Sequence, residues 1–150
     1  MRTVTSLAAA IALAFSLAAC NRAESPSEVR EDVTEARQDG AEEVAEAREE
    51  AAETVAEHQD EIADAAANDV EDLPEEQANA TRDTADAQYD VAIAQAEATQ
   101  NIEKEKCEGL AGDAQEACKD TAESAFEMAK ADAQLKRDAA RQAAAAQDDD

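Results

Sequence analysis

The sequence predicts an all-α protein without a large globular core: an extended amphipathic helix of eleven-residue repeats, followed by an antiparallel alanine-rich helical hairpin. Three observations predict it. The 150 residues include 38 Asp and Glu against 13 Lys and Arg, with no Trp, one Tyr and two Phe, so large apolar side chains are too scarce to fill a core. Alanine replaces them, mixed with Glu, Gln, Lys and Arg, most of which favour helix. That composition alone fits either helices meeting along thin seams or a disordered acidic chain. The second observation, an eleven-residue repeat between residues 29 and 72, points to helices. The third is a pair of cysteines, Cys107 and Cys118, enclosing two glycines.

The first element is residues 1–19. Arg2 forms a short positive start, Val4 to Leu17 carries only Thr5 and Ser16 as polar interruptions, and Leu17-Ala18-Ala19 leads into Cys20. This resembles a bacterial lipoprotein signal with its lipobox. The resemblance implies that residues 1–19 are removed and that Cys20 becomes an acylated N-terminus, fixing the chain to a membrane through residues 20–25. A retained membrane-spanning helix and an ordinary secretory signal are the alternatives. The apolar run is shorter than the about 20 residues a span needs and stops at Asn21-Arg22. Acyl burial contributes about 0.8 kcal/mol per CH2, and stable anchoring takes more than one chain. Asn21, where Asp favours inner-membrane retention in familiar Gram-negative systems, points to the outer membrane, with the protein facing the periplasm.

The second element is a helix over 26–73. In register, 29–39 reads VREDVTEARQD, 40–50 reads GAEEVAEAREE, 51–61 reads AAETVAEHQDE and 62–72 reads IADAAANDVED. Val33, Val44, Val55 and Ala66 fall in one column; Val29, Gly40, Ala51, Ile62 and Leu73 fall in another, four residues ahead and on the same helix face. Eleven residues in three turns favour a straight or weakly right-handed assembly. Ser25 as cap, Pro26 at the first position and Glu28 three residues after the cap mark the start, and Pro74 marks the stop. Residues 21–76 hold 21 acidic and 4 basic side chains, so many i, i+4 pairs are like-charged and unfavourable. The stripe therefore belongs either to a marginal solvated spacer or to a helix that buries its seam on a partner.

The third element is a hairpin over 74–142. Export favours a disulfide between Cys107 and Cys118, but on one helix eleven residues would hold them about 16 Å apart, and bonded cysteines need alpha carbons within about 7 Å. The chain must turn at Glu108-Gly109-Leu110-Ala111-Gly112 if the bridge is intramolecular; an interchain bridge is the alternative. Counting back from Cys107, one face carries Gln100, Ala96, Ile93, Tyr89, Ala85 and Ala78. Counting on from Cys118, the other carries Ala122, Ala125, Ala129, Ala133 and Ala140. Residues 143–150 read as a disordered acidic tail.

The segments Tyr89-Asp-Val-Ala, Glu105 to Cys118 and Ala129-Lys-Ala-Asp-Ala resemble a group of uncharacterised proteobacterial envelope proteins with an alanine-rich helical hairpin and a C-x-x-L-x-G-x5-C turn. That resemblance covers about residues 80–135 and implies architecture and envelope location, not an activity. No catalytic constellation, cofactor motif or patterned metal site is legible. His58, the only histidine, stands where Ala36 and Ala47 stand in neighbouring repeats and reads as a residue at the solvent edge. The acidic surface repels nucleic acid and offers at most weak, non-specific binding of divalent cations. The expected function is that of a non-enzymatic envelope lipoprotein acting as a stalk, spacer or interaction protein, which meets itself or an envelope partner. A stress-protective, chaperone-like acidic protein is the alternative.

Overall fold

The computed structural model describes residues 23–68 and 70–148. The signal segment and Cys20 lie outside the described residues. Three long helices follow one another: α1 (Pro26–Asn68), α2 (Leu73–Glu108) and α3 (Asp113–Asp148), and no strand occurs among the described residues. Short turns, at 70–72 and at 109–112, make each helix antiparallel to the one before. The middle helix packs against both others, while α1 and α3 do not pack on each other.

The start of α1 follows its capping chemistry. Glu28 Oε2 accepts the Ser25 backbone N–H at 2.9 Å and Ser25 Oγ accepts the Glu28 N–H at 3.4 Å, so the two residues satisfy each other's free donors. The Glu24 N–H also donates to the Glu108 carbonyl at 2.8 Å, which ties the approach to α1 onto the last turn of α2.

The other end of α1 differs from the predicted stop. The helix ends at Asn68, and Pro74 sits in the first turn of α2. Proline suits that place because its missing N–H is one of the donors a helix start leaves unpaired. Glu75 and Glu76 beside it complement the positive helix end. The proline thus opens the second helix and does not close the first.

The second reversal uses its two glycines unequally. Gly109 keeps helical geometry at φ −70°, and the Leu110 N–H after it donates to the Cys107 carbonyl at 2.9 Å. Gly112 adopts φ 61°, a left-handed conformation that favours glycine, and its carbonyl accepts the Gln115 and Glu116 N–H groups as α3 begins. The Cys107–Cys118 disulfide closes this turn with alpha carbons 5.7 Å apart.

α3 continues to Asp148, through the region where an acidic tail is predicted to begin. Ala143 to Ala146 favour helix, and Ala144 is fully buried. The buried set consists mainly of alanines: Ala78, Ala85, Ala98, Ala122, Ala133 and Ala144, with Val33 and Cys107. Among the described residues Cys107 is the largest side chain fully removed from water, and no polar or charged residue is buried. Each alanine methyl contributes only on the order of 0.8 kcal/mol, so the fold is distributed along two seams and has no centre.

Candidate interaction surfaces

The stripe of α1 finds its partner within the chain. Val33 is buried and Val29, Val44, Val55 and Ile62 are half-buried against α2, so the predicted columns form the α1–α2 seam. Gly40 marks the closest approach: a Cβ built there would lie 2.6 Å from the Ala98 Cβ. Ala66, predicted for the same stripe, is exposed, and Ala65 takes the half-buried place near the helix end.

On the α2–α3 side Tyr89 and Ile93 are half-buried, as the cysteine register predicts. The guanidinium of Arg137 lies over the Tyr89 ring, 4.6 Å from its centre, a cation–π placement. Arg141 donates to Asp86 Oδ2, and Arg137 Nε lies 4.0 Å from Asp86 Oδ1. The bond to Asp86, followed by that residue's charge, moves the Arg141 pKa upward and holds it more firmly in its charged form. These contacts clamp the far half of the hairpin, and the disulfide clamps the near half.

The predicted face of α3 needs correction. Ala122 and Ala133 are buried and Ala140 is half-buried, but Ala125 and Ala129 are exposed. The seam runs instead through Phe126, Lys130 and Arg137 to Ala144. Cys118 sits at the edge of the contact strip because a disulfide bridges two helices from the side, so counting from it shifts the stripe around the helix. The stems of Lys130 and Arg137 lie along this seam, with the Lys130 ammonium over the Phe126 ring and the Arg137 guanidinium over the Tyr89 ring.

His58 is also displaced from its predicted role at the solvent edge. Its side chain is only 14% exposed, with Nδ1 2.7 Å from Glu61 Oε2 and Nε2 3.0 Å from Asp83 Oδ2 on α2. The ring thus bridges the two helices, with one carboxylate from each at its two nitrogens. The alanines of its column, Ala36 and Ala47, are likewise half-buried, so the column marked the margin of the seam.

Charge is distributed unevenly over the two sides of the α1–α2 pair. On one side, grooves of about 310 Å³ and about 510 Å³ lie over small residues such as Gly40 and Ala51. Carboxylates of Asp32, Glu35, Asp39 and Glu43 border the first, and those of Glu50, Glu57, Glu61 and Asp83 border the second. On the other side, a groove of about 550 Å³ over α2 is bordered by Val55, Gln59, Ile62, Gln77, Thr84 and Gln88 among others, and no carboxylate lines it. At about 100° per residue, Arg30, Arg37 and Arg48 fall on this second side of α1.

The near end of the array is crowded with acid. Glu24 is half-buried; desolvation, and then the charges of Asp32, Glu108 and Glu105 with an Asp32 hydrogen bond, push its pKa up from the ordinary 4.5. No group of three or more His, Cys, Asp or Glu is arranged to hold a metal ion among the described residues, and none of the helices is long and apolar enough to cross a membrane. Comparison of the chain with protein-family models, curated proteins and solved structures finds no match.

Proposed function

We propose that this protein is a lipid-anchored spacer and interaction protein of the cell envelope, held through Cys20 on a membrane and facing the periplasm, without catalysis of its own. The observation that carries the reading is the run Leu17-Ala18-Ala19-Cys20 placed directly before the folded unit. Only Asn21 and Arg22 separate Cys20 from the first described residue, and α1 is capped from Ser25. An anchor there stands beside the disulfide turn, because Glu24 bonds to Glu108 next to Gly109. The three helices then extend away from the membrane by one helix length, about 65 Å at 1.5 Å for each of the 43 residues of α1. The outer membrane is the favoured location, since Asn21 stands where an inner-membrane retention signal would carry Asp.

A spacer is favoured over a stress-protective shield because the seam of α1 is occupied by α2, which leaves no long apolar stripe on α1 to cover other molecules. Fractionation of cells producing the whole chain tests the anchor. The protein is expected in the membrane fraction, released by detergent and carrying acyl mass on Cys20, while Cys20→Ala is expected in the soluble fraction. Recovery of both forms in the soluble fraction refutes the reading.

A further inference from the structure

The three arginines of α1 fall on one flank of an acidic chain. Arg30, Arg37 and Arg48 are exposed, and among the described residues their guanidiniums make no ion pair, whereas Lys106, Lys119, Lys136, Arg137 and Arg141 each hold a carboxylate. The cause is geometric. With the seam of α1 facing α2, these arginines project on one flank of the helix, and the carboxylates nearest to them in sequence project on the other. Around and between the arginines the flank carries Thr34, Ala41, Ala45 and, just past Arg48, Ala52, so it is flat and contains no acid. It forms a cationic ridge about 27 Å long at 1.5 Å per residue on a protein of formal charge −25.

The opposite flank has matching dimensions. Glu35 and Asp39 stand one step below and above the height of Arg37; Glu46 and Glu50 stand likewise about Arg48, and Asp32 stands next to Arg30. Arg37 and Arg48, like the carboxylates at their heights, recur with the eleven-residue repeat at about 16 Å, and Arg30 adds a cation seven residues before Arg37. Asp32, Glu35, Asp39 and Glu50 also border open grooves floored by Ala36, Gly40, Ala47 and Ala51, where a guanidinium has room to enter and bond in a fork. Repeat three completes the pattern. Its position in the arginine column is Gln59, and of the two acids at that height, Glu57 and Glu61, the second is already held by His58.

We propose that the arginine flank of α1 docks into the acidic α1–α2 grooves of a second copy of this chain, with the two copies parallel and in register. The contact is heterologous, since a different surface is used on each copy, so repetition builds an open row and not a closed dimer. Each added copy presents a fresh arginine flank on one side and fresh acidic grooves on the other. Asp32 and Glu105, which border the first groove, also crowd Glu24, adding to the desolvation that chiefly raises its pKa, and an incoming Arg30 would relieve that excess of carboxylate. This inference rests on the helical array and stands independently of the lipid anchor.

Sedimentation of the full-length chain in non-ionic detergent tests it. At about 0.15 M salt, where the Debye length of about 8 Å screens distant repulsion and leaves contact pairs, species of two and more copies are expected as concentration rises; at about 1 M salt, with a Debye length of about 3 Å, they are expected to be lost. The triple variant Arg30→Gln, Arg37→Gln, Arg48→Gln is expected to remain a single copy with unchanged helicity by circular dichroism. A chain with Arg37→Glu and Arg48→Glu is expected to associate only when mixed with one carrying Asp39→Arg and Glu50→Arg. A wild type that stays single at every concentration, or a triple variant that assembles as well as the wild type, overturns the proposal. So does arginine-dependent binding to phosphatidylglycerol vesicles without self-association, which would assign the ridge to a lipid surface.

Discussion

At the scale of single residues, Gly40 gives the clearest test of packing against propensity. In a solvated helix, alanine is favoured over glycine by about 1 kcal/mol, so Gly40→Ala would stabilise a free-standing α1. In the folded array its methyl would meet the Ala98 Cβ at 2.6 Å, and forcing the helices apart costs about 1–3 kcal/mol. The variant is expected to melt at lower temperature, and Ala98→Gly in the same chain is expected to restore part of the loss. Glu24 makes a prediction with a pH sign. Its raised pKa means that the folded chain binds this proton more tightly than the unfolded chain, so the group opposes folding above the raised value. That opposition fades as pH falls toward the ordinary 4.5. Glu24→Gln is expected to raise the melting temperature at pH 7, and the gain is expected to shrink at pH 4.

Among the elements, α3 depends most on its fastening. The disulfide closes a loop of this size for up to about 3 kcal/mol in the chain-entropy model, and α3 has only α2 to lean on. Reduction is expected to lower far-UV helicity by loosening α3, while hydrogen exchange in α1 stays slow at Val33, Val44 and Val55 at every protein concentration, because their cover is α2. The elements also show where sequence reading succeeds. The columns of α1 were legible because the repeat states the same face several times, and the turn was legible because two cysteines cannot bond across an unbroken helix. The occupant of the α1 seam was not legible: a 3.6-residue pattern says which face is buried but not against what. Pro74 misled because the same proline disfavours helix before it and suits helix after it. Ala125 and Ala129 misled because alanine appears on every side of α3, leaving Cys118 as the only phase marker, and that residue lies at the margin. His58 misled because a column seen only twice, as alanine, does not distinguish the rim of a seam from solvent.

For the whole molecule, the decisive property is that three helices lie side by side. A helical stalk carrying a separate hairpin would extend about 120 Å, whereas the array is about 65 Å long, the length of α1 alone. Small-angle scattering is expected to give a maximum dimension close to the shorter figure. Lateral, in-register association would widen the particle without lengthening it, so scattering and sedimentation read separate properties.

The bond from Glu24 to Glu108 places the way into α1 at one end of the array, and the antiparallel order puts the end of α3 at the other. Tension between a membrane at the first end and a load at the second would pull the helices lengthwise past one another. Every methyl along both seams would then resist together, instead of parting one at a time as in a zipper. The disulfide and the Arg141–Asp86 bond lie near opposite ends of the α2–α3 seam, so sliding there must strain both. A seam of alanines that is modest in free energy would thereby meet such a lengthwise pull with all of its contacts at once.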